Sequence, residues 1–315
     1  MTVVWRSRFK KVANPGDRTL GSNGLTPPER TVSDAVKNAT RGLTSPQAID
    51  AAQIAAQSGS IERVVAAFDW GVFGQALSVA QDGLTAQIIQ TGKSEAKKLS
   101  EAGFKYSFEM TDPRAVAWSS TRGGQLVVEI SETVRAEIRQ SVTRAITEGL
   151  TRRELSAVLE RQVGLFSRWA NAVENSYGKN LRDFQKQGLS FSQAESKAMK
   201  LANEYRDRLI AARAKNIART EIMRASNTGR FISWQQAGDR RLIDLSKSSK
   251  RWQAVGGACD ICGPADDETV PVDDLFSTGE LMPPAHPSCR CTAVLLPEPI
   301  DVADYLTPEE LAFSE

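Results

Sequence analysis

The sequence predicts a mainly α protein: a multi-helix body carrying a small C-terminal α+β module stapled by zinc. Three observations carry this reading. Apolar residues recur at helical spacing through residues 46–240. After Gly238 the composition changes to short β-prone runs bounded by Gly, Pro and Asp. All four cysteines and the single histidine fall between Cys259 and Cys291, a window of 33 residues.

A chain of 315 residues is long enough to bury more than one core, and 41% hydrophobic with 25% charged residues is ordinary for a globular protein. No apolar run approaches the ~20 residues that cross a bilayer. The opening stretch MTVVWRSRFKKVANPGDR has basic residues but no apolar segment after them, so it is not a secretory signal. A reducing cytosol is therefore expected, which disfavours disulfides. The net charge of +2 hides an asymmetry. From Cys259 onward thirteen acidic residues stand against Arg290 alone, leaving 39 Lys/Arg against 25 Asp/Glu in the preceding chain. A basic body suits an anionic partner; an unevenly charged solvated surface is the plainer account.

Residues 1–45, with Pro15, Pro27 and Pro28 and little periodicity, read as an extended N-terminal arm. Its stretch WRSRFKK interleaves Trp5 and Phe9 with Arg6, Arg8, Lys10 and Lys11, a pattern for stacking on nucleic acid or anchoring on a partner protein. Residues 46–110 read as a helical region of short helices, because Gly71, Gly74, Gly83 and Gly92 interrupt it. Beyond Gly103, FKYSFEM alternates as a short strand does.

Residues 111–240 form the helical body. Leu126, Ile130, Val134, Ile138 and Val142 make one apolar stripe on a long helix. Thr151 with Glu154, and Ser192 with Glu195, have capping-box spacing. Gly188 closes a helix beginning near FSRWANAV, and a long basic helix through IARTEIMRASNTGR ends at Gly238. Ala218, Ile222, Ala225 and Gly229 share one face of that helix and fit close core packing. Residues 241–315 hold KRWQAV, ETVPV and TAVLLP as short strands around the cysteine cluster, then an acidic tail with a capped turn at TPEEL.

Zinc takes four tetrahedral thiolate or imidazole ligands, and a C-x-x-C turn presents two of them. Cys259 and Cys262 supply that pair, and HPSCRC offers His286, Cys289 and Cys291 for the two remaining places. In a regular strand Cys289 and Cys291 point to opposite faces, so both ligate only if the backbone turns. A structural zinc is the favoured reading. Reduced cysteines packed as small hydrophobes, and disulfides, are the alternatives.

The same residues exclude much catalysis. One histidine cannot build an H-E-x-x-H protease, and the H-x-E of zinc deaminases is missing. A Cys–His dyad is formally available, but His286 lies three residues from Cys289 beside a proline, which suits a ligand better than an activated thiol. No phosphate-binding glycine motif occurs, and DDETVPVDD lacks the ligand spacing of an EF-hand.

IARTEIMRASNTGR on a helix, followed by KRW, CDIC, ETVPV and PPAHPSCRC, resembles the phage head morphogenesis family typified by the phage Mu F protein. The resemblance runs from about Ile217 to Leu296, with FEMTDPRAVAWSSTRGGQLVVEIS upstream also similar. It carries the family motif onto Arg219, Glu221, Cys259, Cys262, Pro284, His286, Pro287, Cys289, Arg290 and Cys291, and Ala225 lies on the same motif helix. It implies a minor head (minor capsid) protein of a tailed phage, acting near the portal in the virion, with no active site. The expected partners are the portal, the major capsid protein, and packaged DNA touched by the basic helical body; no membrane and no small-molecule substrate are expected. A zinc-dependent nucleic-acid-processing enzyme and a free nucleic-acid-binding module are the alternatives.

Overall fold

The structure, a computed structural model, describes residues 24–300, and within them the chain is mainly helical. The Trp5–Lys11 stretch and the TPEEL turn lie outside the described residues. The elements are α1 (Pro27–Leu43), α2 (Pro46–Ala55), a 3-10 turn (Ala56–Ser58), α3 (Ile61–Ala66), α4 (Trp70–Ser78), α5 (Ala80–Glu101), α6 (Pro113–Thr147), α7 (Arg152–Gln162), α8 (Ser167–Lys186), α9 (Phe191–Asp239), β1 (Ser249–Gln253), β2 (Thr269–Pro271) and β3 (Thr292–Leu296).

The first correction concerns the arm. Pro27–Leu43 is a helix, not extended chain. Thr26 caps it: Glu29 N–H donates to Thr26 Oγ1 at 3.3 Å, and Thr26 N–H donates to Glu29 Oε2 at 2.8 Å. Pro27 and Pro28 occupy the first helical positions, where a missing N–H costs nothing. They open the helix, although they read as breakers. Val32, Val36, Ala39 and Leu43 form its buried stripe at helical spacing.

Two compact units interleave along the chain. One unit takes Arg30–Gln81 and Ser120–Asn216; the other takes Asp82–Ser119 and the chain from Ile217 onward.

The first unit contains α1 to α4, most of α6, α7, α8 and the first half of α9. The expected stripe from Leu126 to Val142 is buried along α6. Thr151 and Glu154 form the expected capping box at α7, and α8 stops just before Gly188, whose φ is +86°. The cap of α9 lies two residues earlier than expected. Ser190 and Gln193 exchange the reciprocal side-chain to backbone hydrogen bonds, at 3.4 and 3.2 Å, so Ser192 falls inside the helix. Both arrangements offer a hydroxyl and a partner three residues on, and sequence spacing cannot separate them. Two buried guanidinium groups pair with half-buried carboxylates in this unit, Arg161–Glu174 at 2.8 Å and Arg213–Glu137 at 3.0 Å.

The second unit contains α5, the extended segment 104–112, the second half of α9 and the sheet. Helix α5 runs unbroken through Gly83 and Gly92, longer than expected. Gly92 lies where Phe108 crosses the helix, and a Cβ there would meet the Phe108 ring. The FKYSFEM strand does not form. Side chains of α5 and α9 take its backbone bonds instead: Ser100 Oγ accepts from Tyr106 N–H at 3.4 Å, and Gln236 bonds both Glu109 N–H and Glu109 C=O at 2.8 and 3.0 Å. With its polar groups satisfied this way, the segment has no ladder to join.

The expected strands form an antiparallel sheet in the order β2-β1-β3. Arg251 pairs with Thr269 on one side and Val294 on the other. Trp252 is fully buried and meets Phe276 edge-on at 5.1 Å. Lys250 is also fully buried; its Nζ donates to Val272 C=O at 2.6 Å and lies 5.2 Å from the Phe276 ring. Burial pushes this amine down to about 8, with Asp273 and Asp274 opposing the fall.

Candidate metal centre

Two tight turns build the centre. In the first, Cys259 C=O accepts from Gly263 N–H at 2.8 Å, which curls CDIC so that both sulfurs come near His286 Nε2. In the second, His286 C=O accepts from Cys289 N–H at 3.1 Å. Ser288 takes a left-handed φ of +60° there, the bend that HPSC needs to bring its first and fourth residues together.

The donor atoms converge. His286 Nε2 lies 3.1 Å from Cys259 Sγ and 3.2 Å from Cys262 Sγ, and Cys262 Sγ lies 3.7 Å from Cys289 Sγ. The five donors form two triplets, Cys259/Cys262/His286 and Cys262/Cys289/Cys291, which share Cys262. Within each triplet all donors lie inside 4.8 Å of one another. Cys262, Cys289 and Cys291 are buried among the core residues around Trp252, whereas Cys259 is exposed and His286 half-buried. Cys289 and Cys291 both precede β3, which starts at Thr292, and both are buried with their sulfurs within 4.8 Å of each other, so the opposite faces of a regular strand do not apply. None of the four cysteines is in a disulfide. This cluster could hold a metal ion.

The thiols differ electrostatically. The backbone N–H groups of Cys262 and Ile261 lower Cys259. Burial pushes Cys262 up to about 12. A hydrogen bond from Cys291 pulls Cys289 down to about 5 and raises Cys291 in turn. The hydrogen bond between Cys289 and Cys291 favours one thiolate and one thiol in that pair.

Helix α9 positions the second turn through residues that the spacing argument passed over. Asn227, fully buried, donates from Nδ2 to Pro283 C=O at 3.0 Å and Cys291 C=O at 3.2 Å, and its Oδ1 accepts from Thr292 Oγ1 at 2.8 Å. Thr220 Oγ1 accepts from Ser288 N–H at 2.8 Å. Both lie in IARTEIMRASN, so the signal was present as two uncharged polar residues seven apart on one helix face. The named motif residues surround this contact: Glu221 is buried with Arg224 3.8 Å away, Ala225 and Pro284 are buried, and Arg219 and Arg290 are half-buried.

The other unit holds an open cleft of about 1110 Å³ walled by α6, α7, α8 and the start of α9. Arg161 and Arg153 in its wall are paired with Glu174 and Glu195. No histidine or cysteine lines it. Among the described residues no helix is long and apolar enough to cross a membrane.

A family model described as "Phage Mu protein F like protein" matches residues 136–294. The match starts within α6, upstream of the Ile217 expected from the motif, and ends inside β3, so it spans α9 and both ligand turns. No curated protein and no solved structure matches the chain. Over half of the chain follows the family pattern, including α9 and the cysteine turns: the chain belongs to the phage Mu F-like family of head morphogenesis proteins.

Proposed function

We propose that this protein is a structural minor head component of a tailed phage, associated with the portal or the inner capsid, and that it performs no catalysis. The observation that carries the proposal is the contact between the ARTE–RASN helix and the cysteine turns. Asn227 and Thr220 use their hydrogen bonds to hold loop backbone, and three of the five donors are buried among core residues. That arrangement suits a folding staple. A catalytic metal needs an open coordination position and a general base beside it. Zinc is the ion that thiolate and imidazole donors in tetrahedral number suit best.

The basic excess before Cys259 supports contact with acidic protein surface or packaged DNA, with the acidic C-terminal stretch kept away from phosphate. Trp5, Phe9 and the cations among them would anchor the chain on the portal or capsid.

Mass spectrometry of purified heads with chemical crosslinking tests the reading. The chain should be present at fixed stoichiometry and crosslink to portal or capsid subunits. Its absence from heads, or nuclease activity of the purified protein that zinc restores after chelation, would overturn it in favour of a nucleic-acid-processing enzyme.

A further inference from the structure

Five donors surround a centre that needs four, and we infer that Cys259, Cys262, His286 and Cys289 hold the ion while Cys291 stays outside it as a core thiol. This rests on the zinc reading above and names its ligand set.

The two turns are the first observation. Cys259 and Cys262 are the first and fourth residues of the turn that Gly263 N–H closes, and His286 and Cys289 are the first and fourth of the other. Each hairpin-like bend presents its first and fourth residues to one side, so the pair of turns faces the ion as C-x-x-C against H-x-x-C. Cys291 lies past the second turn, next to the start of the sheet: Thr292 pairs with Gln253 of β1.

The histidine is the second observation. His286 Nδ1 lies 2.9 Å from Pro287 C=O, a carbonyl that can only accept. The proton therefore sits on Nδ1, and the Nε2 lone pair is the one directed at Cys259 and Cys262. A ring nitrogen fixed by a backbone carbonyl is the usual support for a metal-ligating imidazole. His286 thus takes one of the four places.

The last place falls to Cys289 or Cys291. Cys289 Sγ is 3.7 Å from Cys262 Sγ, the edge of a tetrahedron whose zinc–sulfur bonds are about 2.3 Å. Cys291 is held from behind: Asn227 Nδ2 grips its carbonyl, and its neighbour Thr292 is tied to Asn227 Oδ1. Cys289 closes the turn that His286 opens, so the two come to the ion as one pair, whereas these bonds fix the backbone of Cys291 outside that turn.

The test is the zinc content of the full-length chain by native mass spectrometry, with the visible spectrum of the cobalt(II) form as a second readout. The parent should carry one zinc. Cys291→Ala should keep it and give a cobalt spectrum with the parent's thiolate-to-metal intensity. Cys289→Ala should lower zinc affinity at least 100-fold, or, if cobalt still binds, lose about one third of that intensity. Retained zinc in Cys289→Ala with loss in Cys291→Ala would overturn this ligand set while leaving the zinc reading intact. A parent chain that carries no zinc would overturn both.

Discussion

Gly229 on α9 lies against the backbone carbonyl of Ile88 on α5, so closely that a Cβ at Gly229 would stand 2.5 Å from that oxygen. The carbonyl belongs to a helix and cannot swing aside as a side-chain tip would. Gly229→Ala should therefore destabilise the protein by at least 1–3 kcal/mol, roughly the cost of overpacking. Gly124 in the middle of α6 has nothing within 4 Å of such a Cβ. There the same substitution should stabilise by about 0.5–1 kcal/mol through helix propensity alone. Thermal melting of the two variants should move in opposite directions; equal shifts would mean α5 and α9 do not approach as described.

Asn227→Ala should cost about 3 kcal/mol, because it strands two buried carbonyls and the Thr292 hydroxyl together. Asn227→Asp should do no better, since a carboxylate cannot donate to Pro283 and Cys291. Hydrogen exchange should quicken in residues 283–292 in both variants. Unchanged exchange there would remove Asn227 from the support of the centre.

Removing the ion should loosen the sheet and leave the helices of the other unit intact. Ligands must be deprotonated to bind, so acidification releases zinc as surely as a chelator does. After either treatment, protection should fall across β1, β2 and β3, while α6, α7 and α8 keep theirs. Melting that ignores chelation would show that the cysteines act as small hydrophobes.

Lys250 gives the module a pH dependence of its own. Its ammonium is disfavoured by burial, so the folded state releases the proton near pH 8 and the unfolded chain only near the ordinary value of 10.5. Below pH 8 both states are charged and the burial penalty is felt in full. Between about 8 and 10.5 the unfolded state holds more proton, and stability rises with pH. Relative to the parent, Lys250→Met should lack this rise and be at least as stable at pH 7. Identical slopes in the two proteins, measured by urea unfolding, would count against a dry Lys250.

The sequence by itself determined what local pattern can determine. The stripe from Leu126 to Val142 specified the buried face of α6, Thr151 and Glu154 specified the start of α7, and three β-prone runs specified the sheet, because each signal depends on neighbours within a few residues. The spacing of Cys259, Cys262, His286, Cys289 and Cys291 marked a cluster that could hold a metal for the same reason. Tertiary structure decided the rest. Pro27 and Pro28 break a helix or open one according to what precedes them and whether Val32 and Val36 find a core. Phe104 to Met110 alternates as a strand does, yet Ser100 and Gln236 satisfy its backbone first. Asn227 and Thr220 became supports of the centre only when α9 met loops more than fifty residues away, a contact fixed by the close approach at Gly229 and by the burial of Trp252 rather than by anything adjacent in the chain.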